Sequence, residues 1–99
     1  MPPVSPTAVA VVDKWLSNGD RVIVEAIDVG NPMYKDGIMY TFRCIDENGE
    51  TLFAIENSHG KPHIHMKGRK IDVDWDWEKA LAEFDKWARE HEKKILQNR

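Results

Sequence analysis

Cysteine is nearly absent from this chain, and Cys44 is the only one. No intramolecular disulfide can form, and a cysteine-built zinc site is excluded with it. No apolar run approaches the roughly 20 residues that a membrane-spanning helix needs. The opening "MPPVSPTAV" has neither the basic flank nor the long apolar stretch of a signal peptide. Positive charge is not in excess either. Lys and Arg number 14 against 17 Asp and Glu, a net charge of −3. That argues against a surface built throughout for nucleic acid, but it leaves room for a local basic patch. The expectation is a cytoplasmic soluble protein. What is present suffices for one core: 99 residues, 41% of them hydrophobic, with four tryptophans. A single domain follows.

Along the chain, "MPPVSP" reads as an extended arm over residues 1–6. "TAVAVVDKWL" suggests a first strand, and "SNGD" a turn. "RVIVEAIDV" alternates as a second strand, with Val22, Val24 and Ala26 on one face. After the loop "GNPMYKDG", "IMYTFRCID" places Ile38, Tyr40, Phe42 and Cys44 together. "ENGE" then joins it to "TLFAIENS", and the Asn48-Gly49 pair predicts a type I′ hairpin turn. "HIHMK" is a short strand, and "RKIDVDW" alternates again. From about Asp76 the period changes. Trp77, Ala80, Leu81, Phe84, Trp87, Ala88, His91 and Ile95 recur at spacings of three and four, the stripe of an amphipathic helix. Asp74 or Asp76 can cap it. The expected fold is α+β: an antiparallel meander of about five or six strands over residues 7–75, packed by one C-terminal helix over 76–98. The sheet face away from the helix must be polar or covered by a partner, and a homodimer is one way to cover it.

The chemistry concentrates in "SHGKPHIHMKGRK", residues 58–70, which holds three of the four histidines. In an unbroken strand Lys61, His63, His65, Lys67 and Arg69 share one parity and face out together, while Ile64 and Met66 face the core. Lysines on such a stripe are the ordinary guard of an edge strand. Two histidines at i and i+2 ask for more. One reading is a metal site of His59, His63 and His65 for zinc or another transition metal, against which the surrounding cations count. Another needs no cofactor. His63 and His65, with His59 as accessory, act as acid and base in RNA cleavage, since imidazole titrates near neutrality. Lys61, Lys67 and Arg69 would then contact phosphate, and Asn57 would position the substrate. Tyr34 and Tyr40 are candidates for stacking on bases. Cys44 and His91 read as packing residues.

Tyr40 to Gly68, "YTFRCIDENGETLFAIENSHGKPHIHMKG", resembles the TumE family of small bacterial and archaeal toxin components. The resemblance lies in Tyr40-x-Phe42, Asp46-x-x-Gly49, Phe53, Glu56-Asn57-x-His59 and the Pro62-His63-x-His65 segment. It continues into the helix "DWEKALAEFDKWARE", although Glu56 stands where the family pattern has Asp. It implies the toxin half of a toxin–antitoxin module, partnered by a helix-turn-helix antitoxin. Metal-independent RNA cleavage is the activity inferred from the residue types. The alternative is a non-catalytic metal-binding or protein-interaction module.

Overall fold

The computed structural model describes residues 7–97; the arm expected over residues 1–6 lies outside them. Six strands run in sequence order as one antiparallel sheet. They are β1 (Thr7–Trp15), β2 (Arg21–Asp28), β3 (Ile38–Ile45), β4 (Thr51–Glu56), β5 (His63–Met66) and β6 (Arg69–Asp72). One helix, α1 (Trp77–Gln97), follows. The expected α+β meander with a single C-terminal helix is what forms. Among the described residues, no helix is long and apolar enough to cross a membrane.

The alternation of β-branched and aromatic residues decides which face is buried. Val22, Val24, Ala26, Tyr40, Phe42, Cys44, Phe53, Ile55 and Ile64 all point to one side and are buried there. The helix lies on that side, over β3 and β4. Phe84 sits at its centre, with ring centroids 5.9 Å from Phe42 and 5.5 Å from Phe53. Trp87 meets Phe53 edge-on at 6.2 Å. Truncating a buried aromatic of this kind costs about 3–5 kcal/mol. Of the two candidate caps, Asp76 takes the role, its Oδ1 accepting from the Lys79 N–H at 2.8 Å.

The turns depart from expectation in an informative way. Asn48-Gly49 does not form a type I′ turn. Only Gly49 has positive φ, while Asp46 Oδ1 accepts from the N–H groups of Asn48 and Glu50. The Asp46 carboxylate organises a longer loop, closed by Asp46 N–H donating to Glu50 O at 2.9 Å. The two-residue turn with both φ positive falls instead at Lys67 (φ 50°) and Gly68 (φ 77°), between β5 and β6.

That turn breaks the long cationic stripe. β5 ends at Met66 and the chain reverses, so Lys67 lies in the turn. Directly paired residues share a face, so Arg69, opposite Met66, starts from the helix side. Lys70 and Asp72, opposite His65 and His63, take the outer side instead. The expected orientation of Ile64 and Met66 toward the core and of the two histidines away from it is what the register gives.

Candidate functional site

The outer face of the sheet carries two neighbouring rows of paired residues. One runs Glu25, Thr41, Glu56, His63, Asp72; the next runs Ile23, Arg43, Ala54, His65, Lys70. Register alone places Glu56 beside His63 and the small Ala54 beside His65. The short side chain of Ala54 leaves a hollow of about 390 Å³, bordered among others by Arg43, Glu56, His65, Lys67 and Lys70.

His63, 4% exposed, is held at both nitrogens. A backbone carbonyl can only accept, so the 3.0 Å contact with Lys61 O puts the hydrogen on Nδ1. That leaves Nε2 directed at Glu56 Oε1, 3.1 Å away. The same carboxylate oxygen accepts from the Ser58 hydroxyl at 3.1 Å and lies 3.8 Å from His65 Nε2. The two imidazoles meet edge-to-face, with centroids 4.5 Å apart. One ligand-type atom from each of Glu56, His63 and His65 lies within 4.8 Å of the others.

The segment between β4 and β5 is built to deliver this geometry. Gly60 N–H donates to Asn57 O at 2.7 Å, closing the turn. Gly60 has φ 86°, and a Cβ there would stand 2.8 Å from Cγ of the flexible Met33 side chain and 3.2 Å from the Met33 backbone oxygen, so the backbone angle first, and space second, call for glycine. Tyr34 OH donates to Ser58 O at 2.9 Å, tying the loop before β3 to the same turn.

The candidate residues therefore separate. His63 and His65 come together. His59 is exposed and stands outside the group, and Glu56 takes the third corner instead. Lys67 and Arg69 border the hollow beside His65, whereas Lys61 lies on the exposed turn. Asn57 is 2% exposed, and its amide serves the sheet. Its Oδ1 accepts from Tyr40 N–H at 2.7 Å, and its Nδ2 donates to Ile38 O at 2.9 Å.

The two tyrosines are not available for stacking on bases. Tyr40 is buried, stacks on Phe42 at 5.0 Å, and donates to Trp75 O at 2.9 Å. Burial, helped by the Asp76 charge, holds its phenol well above the ordinary range. Tyr34 is buried and pinned to Ser58. Cys44 is buried as expected, its thiol pushed up to about 11 by burial and by Asp20, which makes it a poor nucleophile.

Arg43 and Lys70 were not singled out in the sequence. Their signal was the register: each lies in the row that contains His65, a relation visible only once strands are paired. In the sequence Glu56 stands out only within the Glu56-Asn57-x-His59 pattern. His91 does more than pack. Its Nε2 donates to the buried Asp20 Oδ2 at 2.6 Å, joining α1 to the turn between β1 and β2.

Comparison with family models, with curated proteins and with solved structures finds no match for this chain.

Proposed function

We propose that the protein is the toxin-like half of a toxin–antitoxin pair, with a helix-turn-helix antitoxin as its partner, and that it acts on RNA at the outer face of β3–β6. The observation that carries the RNA reading is the position of His65. Its exposed imidazole stands at the lip between the buried Glu56–His63 contact and a hollow bordered by Arg43, Lys67, Arg69 and Lys70. Four cations around a concave surface suit the phosphodiester backbone, whose contacts supply affinity without sequence preference. The protein's overall negative charge confines that attraction to this patch. The resemblance of Tyr40–Gly68 to the TumE family supports the toxin part of the reading.

The site's reactive part is the Glu56–His63–His65 group. His65 is the member that reaches substrate, and His63 positions the Glu56 carboxylate from behind. This differs from a symmetrical pair of histidines, because His63 has both nitrogens engaged inside the protein.

The test is growth arrest on overexpression together with RNA binding and cleavage by the purified protein. Arg43→Glu with Lys70→Glu should weaken RNA binding uniformly across sequences and reduce its salt dependence by about one unit of slope per cation removed. His65→Ala should relieve growth arrest and abolish cleavage while leaving binding within a few fold. Full growth arrest by both variants would end the proposal. His65 is the better probe than His63, whose removal also strips Glu56 and Lys61 O of their partner.

A further inference from the structure

We infer that Glu56, His63 and His65 form a binding site for a divalent transition metal of the zinc class. The argument begins with a tautomer. Lys61 O fixes the hydrogen of neutral His63 on Nδ1, so the lone pair of Nε2 faces a carboxylate oxygen only 3.1 Å away. Two electron-rich atoms at that separation repel unless a positive centre lies between them. A shared proton would satisfy this pair, but it needs only two atoms. The third, His65 Nε2, lies 3.8 Å from the same oxygen, beyond hydrogen-bond reach, so the proton of the first pair does not bridge to it. A cation coordinated by all three accounts for the convergence.

The spacing suits such an ion. With metal–ligand bonds of about 2.0–2.1 Å in tetrahedral geometry, adjacent ligand atoms stand roughly 3.3 Å apart. The two contacts to Glu56 Oε1, 3.1 and 3.8 Å, lie on either side of that figure, and all three ligand atoms lie within 4.8 Å of one another, so closure on an ion requires the two imidazoles to draw together. Two imidazoles and one carboxylate are a familiar donor set for such an ion, with a further position left toward solvent. The supporting contacts are also in place. His63 Nδ1–H donates to a backbone carbonyl, and Ser58 donates to the Glu56 carboxylate, the kind of outer bonds that orient metal ligands.

The cationic stripe that counted against a metal does not form. Lys67 lies in the turn and Arg69 is paired with Met66, so both border the hollow beside His65 rather than extending the row of the two histidines. Arg43 and Lys70 remain in the row of His65, but Asp72 stands opposite His63 and carries compensating charge. Binding of the ion stands on this geometry alone. Its use in RNA chemistry, where such an ion polarises a phosphoryl oxygen, rests on the reading above.

The test uses the full chain without an affinity tag, stripped with chelator and titrated with Zn²⁺ in the absence of RNA. Bound metal is measured by equilibrium dialysis and elemental analysis. About one zinc per chain is expected. His65→Ala and Glu56→Gln should each weaken binding at least about tenfold while the circular dichroism spectrum stays that of the parent. His59→Ala should bind like the parent. Less than about a tenth of an equivalent at 100 μM free zinc, on the order expected for no site, would overturn the inference. Undiminished binding by both His65→Ala and Glu56→Gln would overturn it as well. If zinc binds as described but RNA is neither bound nor cut, the metal site stands and the RNA reading falls; the reverse result separates them the other way.

Discussion

Two histidine–carboxylate contacts lie on opposite sides of this sheet, and they differ in what surrounds them. On the helix side, His91 and Asp20 meet at 2.6 Å, and Asp20 also accepts from Asn18 Nδ2 at 2.9 Å. The His91 ring packs edge-on against Phe53 at 5.9 Å. The carboxylate's partners there are those of a structural tie between residues 71 positions apart. On the outer side, His63 and Glu56 meet at 3.1 Å, but His65 Nε2 approaches the same oxygen and faces a cationic hollow. A close pair of opposite groups is therefore not by itself a site. What distinguishes the second contact is a second imidazole that approaches the same oxygen at the edge of a cationic hollow.

The comparison can be broken by substitution. The largest effect is expected from Asp20→Ala, which strips the half-buried Nε2–H of His91 and the amide of Asn18 of their acceptor. Chemical denaturation should show a loss of about 2–3 kcal/mol, with zinc binding by the folded protein unchanged. A loss below about 0.5 kcal/mol would show that the tie contributes little.

Gly60→Ala comes next. The exposed Met33 side chain can yield to the new methyl, but the left-handed backbone cannot relax, so a cost of about 1–2 kcal/mol is expected. Because this turn aims His63, metal affinity should fall with stability. Unchanged affinity in the folded variant would show that the turn does not set the geometry.

The smallest effect belongs to His65→Ala. Its side chain is 41% exposed, and in metal-free buffer its loss should move stability by no more than about 0.5 kcal/mol. A cost above about 2 kcal/mol would make His65 a structural residue like His91 and erase the contrast. Together the three variants separate stability from binding: Asp20 moves only the first, Gly60 both, and His65 only the second.

Much of the fold was legible along the chain because its signals are local. Period-two alternation placed Tyr40, Phe42 and Cys44 on one face, and the spacing from Trp77 to Ile95 marked the helix. Both need only neighbouring residues to be read. Turn chemistry was less secure. Asn48-Gly49 carried the sequence of a two-residue turn, yet the Asp46 side chain captured two backbone N–H groups and lengthened the loop. Lys67, which nothing local marked for positive φ, took the tight turn because β6 pairs directly back on β5.

The sequence by itself determined that His63 and His65 would point the same way, opposite to Ile64 and Met66. That follows from strand geometry and from the need to bury the apolar pair. Only the tertiary structure decided which groups they would meet. Glu56 lies seven residues from His63, and Arg43 comes from a third strand; pairing register brings them into adjacent rows, while His59, nearer in sequence, stays outside. Register is set by the burial of a whole face and by the turns that join the strands, so it is a property of the assembled sheet. A one-residue slip of β5 would have carried both histidines into the core. The chain thus specified the residue types of the site locally, and the packing of Phe42, Phe53, Ile55 and Ile64 beneath the helix specified their company.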